Sequence, residues 1–401
     1  MTGATTTPPD IAPGRSRTGW LLLGAMVAGA VFGVLAYRQH RDWPFWMVDF
    51  DVYRLGADTV LHGGALYDVT TGGGLPFTYS PIAALLFVPV LVVPAAVWAG
   101  LEILFLELAV WLTLGAVGVT RTGPRAAATV VLTFGALFGS PVDSDLSLGQ
   151  INLLLMFVVL VDLLRGEGRR WQGVGVGVVA AFKLVPLIFV VYLACTGRVR
   201  SARTALGTFL LCVAVGFAVL PGDSVRYWFG AGFSPERVGT PESPFNQSLR
   251  GVVARLTRSA TTINPVWVVV AVVVGVAGLG AAILLHRNGR RLRGILVCAL
   301  TACLVSPVSW EHHWVWTIPV VILLGTLAVR ERSVGWAVVA VAAAAAYGLR
   351  LLDWFVPEFG PALLDLDAGP QLAAACFALS GMALIVVLTV TGRRTDVAGA
   401  L

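Results

Sequence analysis

Charge is what this chain has least of. Of its 401 residues only 12% are Asp, Glu, Lys or Arg, about half the share of an ordinary soluble domain. With 57% hydrophobic residues and a mean hydropathy of +0.83, that scarcity excludes a soluble globular domain and leaves a polytopic membrane protein. The formal net charge of +6 arises from short basic clusters between apolar runs. No basic face with interleaved aromatics is present, so no nucleic acid is expected as a partner and the clusters act as topology signals. Cysteine is equally uninformative as chemistry. Cys195, Cys212, Cys298, Cys303 and Cys376 lie inside or beside apolar segments without ligand spacing, so they read as small core residues rather than a disulfide framework or a metal site. No Gly-rich phosphate loop occurs, and no cofactor is implied.

What the chain does have is long apolar runs. A spanning helix needs about 20 apolar residues, and runs at roughly 19–37, 97–119, 126–142, 151–165, 203–220, 264–286, 292–308, 313–329, 334–352 and 371–392 qualify. Two segments resist a simple reading. Residues 81–93 are short and bounded by prolines, as in a re-entrant or half-length helix, and residues 171–196 carry Lys183 and Pro186 mid-segment, as in a broken helix. The expected fold is an all-α bundle of roughly 10–12 transmembrane helices over residues 19–392, between tails at 1–18 and 393–401.

Basic clusters at 15–17, 121–125, 165–170, 198–203, 287–293, 330–332 and 393–394 fix orientation, because Lys and Arg stay cytoplasmic. Both termini then lie in the cytoplasm of a cell-membrane protein. For 165–170 and 198–203 to share a side, the stretch between them enters and returns, with Lys183 near its far end. Polar segments at about 38–80, 143–150 and 221–264, with the turn at 306–313, fall on the external, periplasmic side.

The sparse ionisable residues recur in a few places, above all in Asp49-Phe50-Asp51-Val52-Tyr53-Arg54 and Ser309-Trp310-Glu311-His312-His313-Trp314. A carboxylate or imidazole retained at the end of an apolar helix is a functional candidate by default. Asp49 and Asp51 follow a run of aromatic anchors, and residues 52–61 form a short amphipathic interfacial helix. Residues 76–81, with Tyr79, make a rigid aromatic approach to the short helix. Ser147 is the expected N-cap of the next helix, with Gln150 and Asn152 at its start. Asp143-Ser144-Asp145 matches the Asp-x-Asp spacing of metal-dependent sugar-nucleotide transferases, but alone it is too weak to assign a metal. Lys183 in an apolar hairpin needs an anion, and a phosphate suits its point charge; pairing with Asp162 is the plainer alternative. Asn246, Gln247 and Arg250 precede a later span, and Arg250 offers bidentate recognition of phosphate or sugar hydroxyls. Adjacent histidines diverge on a helix, so His312 and His313, with Trp310 beside them, suit hydrogen bonding to a ligand better than shared metal binding. Glu102 and Glu107 belong to no motif and read as helix packing.

In the order Asp49-x-x-Val52-Tyr53, Gly63 to Tyr67, Phe77-x-Tyr79-x-Pro81, Gly149-Gln150-x-Asn152, Lys183-Leu184-x-Pro186, Asn246-Gln247-Ser248-x-x-Gly251 and Ser306-Pro307-x-Ser309-Trp310-x-His312-His313, the chain resembles glycosyltransferase family 87, polyprenyl-phosphate-mannose-dependent mannosyltransferases of the GT-C membrane fold. The resemblance implies transfer of mannose from a polyprenyl-phosphate-mannose donor to a hydroxyl of a glycolipid acceptor, most often α-1,2 and with inversion, in phosphatidylinositol mannoside or lipomannan assembly. It assigns Asp49 as general base, His312 to the catalytic set, and Tyr53, Tyr79, Gln150, Asn152, Lys183, Asn246, Gln247, Arg250, Trp310 and His313 to substrate binding. A GT-C transferase using another polyprenyl-phosphate sugar, such as arabinose, and a flippase for lipid-linked glycans are the alternatives; a transporter more often carries internal repeats.

Overall fold

The computed structural model describes residue 24 and residues 46–234, 237–259, 264–352 and 366–392. The expected first span at 19–37, the two tails and the basic clusters at 15–17 and 393–394 fall outside the described residues, Gly24 excepted. Among the described residues the chain folds into seventeen α-helices without a β-sheet. Two isolated bridges, Thr70 to Pro76 and Asn246 to Trp310, are the β-type pairings present.

Among the described residues four helical stretches are long and apolar enough to cross a bilayer: Ala95–Ala116, Val199–Val219, Pro265–Arg287 and Glu311–Arg330, or up to six if two bent pairs each count as one span. One bent pair corrects the sequence reading. The run at 126–142 is not a straight helix but α4 (Thr122–Ala136) followed at 76° by α5 (Ser140–Leu148). Gly139 breaks the first helix in an extended conformation, and Pro141, with its fixed φ and no N–H, starts the second. Most of the presumed external turn at 143–150 is therefore helix. Ser147 lies inside α5, where its hydroxyl donates to Ser144 O at 3.3 Å. It is not an N-cap; Ile151 occupies that position for α6 (Asn152–Arg165).

Residues 81–93 form α2 (Pro81–Leu86) and a 3₁₀ turn (Val88–Val92), too short together to span. Residues 171–196 break as the Lys183 and Pro186 signals require, into α7 (Val174–Phe182), a 3₁₀ turn (Val185–Leu187) and α8 (Ile188–Cys195). Gly173 approaches Ser201 and Ala205 of α9 (Val199–Val219), and Gly177 approaches Ala205 and Phe209. Hence α7 runs parallel to α9, whereas α8 must run back to reach its start. The two make a hairpin whose tip, Lys183, stands about halfway along the roughly 30 Å of α9. The other half of that groove is filled by α2, where Gly216 faces Pro81 and the Ser80 hydroxyl donates to Ala181 O.

The basic clusters at 165–170, 198–203 and 287–293 meet at one end of the bundle. Arg198 bonds His286 at 2.9 Å, Arg287 donates to Cys195 O at 3.1 Å, and Arg291 pairs with Glu167. The loops gather at the other end. Leu66 N donates to Asp223 at 3.0 Å, Arg226 pairs with Asp68, and Gln247 N donates to Ser309 O at 2.8 Å. A continuous apolar core joins the two ends, from Phe50 and Tyr53 in α1 (Val48–Leu61) through α3 (Ala95–Ala116), α6 and α13 (Arg291–Val305) to Leu388 near the end of α17 (Cys376–Gly392).

Candidate active site

The site forms where α1, the α5–α6 corner and the hairpin tip meet. The corner is tight because Gly149 adopts φ +73°; a Cβ there would lie 2.6 Å from Met47 Sδ and 2.7 Å from Phe50 Cβ. Met47 itself takes φ 59° as the N-cap of α1 and donates its N–H to Ser147 O at 2.7 Å. Trp98 Nε1 donates to Gly149 O at 3.0 Å. These contacts bring the first turn of α1, with Asp49, against Gln150.

Gln150 Oε1 is the centre of the cluster. Tyr53 Oη donates to it at 3.1 Å, Lys183 Nζ at 3.2 Å, and Tyr79 Oη and Asn152 Nδ2 stand at 3.4 Å each, with the two tyrosine hydroxyls also 3.1 Å from one another. A carbonyl oxygen has two lone pairs, so four donors converge on an acceptor that can serve two well. Lys183 Nζ also donates to Asn152 Oδ1 at 2.8 Å and stands 5.4 Å from the centre of the Tyr79 ring. The tyrosines are held by aromatic packing: Tyr53 stacks on Phe87 at 4.2 Å and meets Trp98 edge-on at 6.0 Å.

Three carboxylates surround this cation: Asp49, Asp145 and Glu102 lie within electrostatic reach of the Lys183 ammonium. Asp49 sits on α1, outside every candidate span. Burial pushes its carboxyl from the ordinary 3.8 up to about 6, with Gln150 and Lys183 pulling the other way. Asp145, fully buried, accepts from Asn152 Nδ2 at 2.7 Å. Glu102 accepts from Leu154 N at 3.2 Å and so satisfies the exposed start of α6. Sequence reasoning missed both. Asp145 was obscured by the Asp-x-Asp pattern, whose members the helix separates: Asp143 turns outward to Arg350 at 2.7 Å. The available signal was the seven-residue spacing from Asp145 to Asn152 across a glycine corner. Asp162 is not the partner of Lys183; it accepts from Gly173 N at 2.7 Å and Val176 N at 2.8 Å at the start of α7.

The 3₁₀ segment Glu311–Trp316 packs against α5 and α6 and supplies the histidines. Their rings stand 4.8 Å apart at 82°, and both lie in the field of Lys183. His312 is 4% exposed, with Nδ1 at 3.5 Å from Ser144 Oγ and Nε2 without a hydrogen-bond partner. Glu311 accepts from Ser140 Oγ at 2.8 Å. Among the described residues no three His, Cys, Asp or Glu side chains group as metal ligands.

The motif at 246–251 occupies different surroundings. Asn246 Oδ1 accepts from Ser309 N at 3.0 Å and Ser248 N at 3.3 Å. Gln247 Nε2 donates to Pro244 O and Ala374 O at 2.6 and 2.8 Å, while its Oε1 accepts from Phe377 N at 3.1 Å. The Asn246 amide ties the loop to the 306–310 turn, and the Gln247 amide ties it to residues 374–377 at the start of α17. Arg250, 2% exposed, places its guanidinium 5.6 Å from the Trp267 ring, and Trp310 packs over Gly239.

The helical bundle thus brings a lone ammonium, several hydrogen-bond donors and a carboxylate of raised pKa to one point. The profile of glycosyltransferase family 87 matches residues 77–307. The chain is 33% identical, over 94% of its length and 93% of the relative's, to a polyprenol-phosphate-mannose-dependent alpha-(1-2)-phosphatidylinositol mannoside mannosyltransferase of Mycobacterium tuberculosis. The protein of the same name from Mycolicibacterium smegmatis is 31% identical over 87% of the chain and 85% of its own length. A pentamannoside mannosyltransferase of M. tuberculosis is 36% identical over 77% and 69%. The chain belongs to glycosyltransferase family 87. No solved structure matches it.

Proposed function

We propose that the protein transfers mannose from polyprenyl-phosphate-mannose to a hydroxyl of a phosphatidylinositol-mannoside-type glycolipid, forming an α-1,2 linkage. The observation that carries this reading is the convergence of Tyr53, Tyr79, Asn152 and Lys183 on one amide oxygen. Such a surplus of donors beside a lone ammonium suits phosphate oxygens, which accept several hydrogen bonds at once. The names of relatives that match most of the chain supply the sugar and its carrier.

In this reaction the acceptor oxygen attacks the mannose C1 as the bond from C1 to the phosphate oxygen breaks. Polyprenyl phosphate leaves with the bonding electrons, and the acceptor proton passes to Asp49. A single displacement inverts the anomeric centre and needs no covalent intermediate. Asp49 is suited to the proton because its raised pKa makes it a stronger base than an ordinary carboxylate while leaving it ionised at neutral pH. Lys183 and the Nε2–H tautomer of His312 donate to the departing phosphate, where negative charge grows. His313, Tyr53 and Tyr79 stand around the same ammonium, and Gln150 and Asn152 orient it. Asn246 and Gln247 act as positioning residues that hold the loop at 243–251, Asn246 against the 306–310 turn and Gln247 against residues 374–377, with Trp310 packed beside it and Arg250 opening the next helix. The basic clusters at the opposite end of the bundle support an external position for this end and cytoplasmic termini, because Lys and Arg favour the cytoplasmic side.

The test is incubation of purified protein with radiolabelled polyprenyl-phosphate-mannose and glycolipid acceptors, with release of polyprenyl phosphate as readout. Competition by polyprenyl-phosphate-arabinose distinguishes a different donor sugar. Movement of intact donor across vesicles without sugar release would instead support a flippase.

A further inference from the structure

A cavity on the other side of α1 from Lys183 belongs to none of the contacts described so far. It measures about 680 Å³ and is lined along α1 by Asp51, Arg54, Leu55 and Asp58, within the size range of a small-molecule site. Those four recur at helical spacing on one face, whereas Asp49 and Tyr53 occupy another. The far wall is the turn at 70–75, closed by the Thr70 to Pro76 bridge and by Leu75 N donating to Thr71 Oγ1 at 3.2 Å. Its glycines leave bare backbone at the cavity: nothing lies within 4 Å of a Cβ built on Gly72, and the nearest atom to one on Gly73 is Thr71 Oγ1 at 3.9 Å. Trp46 closes the end next to the first turn of α1.

We infer that this cavity holds the carbohydrate part of the acceptor, with the Asp51 and Asp58 carboxylates accepting from sugar hydroxyls and Trp46 offering a face for a sugar ring. The inference rests on the glycosyl-transfer reading above and assigns one of its two substrates. Its basis is the charge pattern and the position. Two exposed carboxylates flank one guanidinium, with the His62 imidazole Nδ1 3.3 Å from Asp58 Oδ1; the carboxylates disfavour a phosphate and suit a neutral polyol, whose hydroxyls donate to carboxylates and accept from Arg54 and backbone N–H groups. Tryptophan adds a large flat apolar surface with one polar edge. Asp49 lies in sequence between two lining residues, Val48 and Asp51, so the first turn of α1 is the rim between the cavity and the Lys183 cluster. A sugar lying along the cavity with its terminal residue at Trp46 reaches that rim. At the lower edge Leu91 adjoins Val92, which is 85% exposed, so apolar surface for a lipid tail begins where the polar lining ends. Asp51, assigned no role by the family motif, becomes part of the acceptor site.

Two full-length variants test this, Asp51→Asn with Asp58→Asn as a double change and Gly73→Trp to fill the cavity. Both alter exposed positions, and Gly73 has no positive φ to strain. The acceptor KM is expected to rise about 10-fold or more, the scale of losing hydrogen bonds to charged groups. Donor affinity, titrated with polyprenyl-phosphate-mannose in the absence of acceptor, stays within twofold of wild type. An acceptor KM within twofold of wild type in both variants would overturn the inference, as would an equal loss of donor affinity. Wild-type protein that neither binds nor consumes the donor would instead refute the transferase reading, and the inference with it.

Discussion

Replacing Lys183 with methionine removes the charge and keeps the length of the side chain. The ammonium has three hydrogens; two are directed at Gln150 Oε1 and Asn152 Oδ1, 3.2 and 2.8 Å away, leaving the third for a phosphate oxygen. Loss of one preorganised donor to a developing oxyanion costs about 10²–10³ in kcat, or about 2.7–4 kcal/mol. The same range is expected here, chiefly in kcat, because the charge on the departing phosphate grows towards the transition state. A second effect follows from the carboxylates. In the wild type, Asp49 must be ionised to take a proton, so activity falls as pH drops through about 6, the value to which burial raises it. Lys183 holds that value down, so in Lys183→Met the acid limb moves above 6. Steady-state sugar transfer between pH 5 and 8, with size-exclusion profiles to confirm folding, reads both effects. A kcat within threefold of wild type, or an acid limb that stays in place or moves lower, would refute the reasoning.

Two further variants probe the scaffold. Gly149→Ala forces a left-handed φ on a residue with a Cβ and drives that Cβ into Met47 and Phe50; a cost of at least about 1–3 kcal/mol should lower the apparent melting temperature, and an unchanged one would contradict the described corner. Gln247→Ala leaves Pro244 O and Phe377 N without their partner, at about 1–3 kcal/mol for each buried group left unsatisfied; thermal unfolding in detergent should show the loss, and wild-type stability would mean that the amide serves the substrate instead.

The helical membrane class was legible from composition, because a chain this poor in charge has few other ways to satisfy its backbone. The broken element around Lys183 was legible too, since a cation and a proline in one apolar stretch leave little choice. The bend between α4 and α5 was not. Its apolar run reads as continuous, and only Gly139 and Pro141 together mark the break. Within the site, sequence pattern named Gln150, Asn152 and Lys183 but not the geometry that makes one oxygen serve four donors. It passed over Asp145 and Glu102 because burial, the property that matters for both, comes from helices distant in sequence. It named Asn246 and Gln247 but not their bonds to Ser309 N, Ala374 O and Phe377 N, partners 63 to 130 residues away in sequence that only the fold brings near. Asp51 shows the converse. A charge on the open face of an amphipathic helix reads as solvated until a loop from residues 70–75 is seen to roof it.

Asp49 as acceptor of the attacking hydroxyl's proton is the step on which the proposed reaction turns. It is tested most directly by release of polyprenyl phosphate from polyprenyl-phosphate-mannose by purified wild-type protein and Asp49→Asn with a glycolipid acceptor present. Steady release is expected from the wild type, with a loss of at least about 10²-fold in the variant, the lower end of the range for a positioned general base, and donor binding retained. Wild-type rates from Asp49→Asn would contradict it.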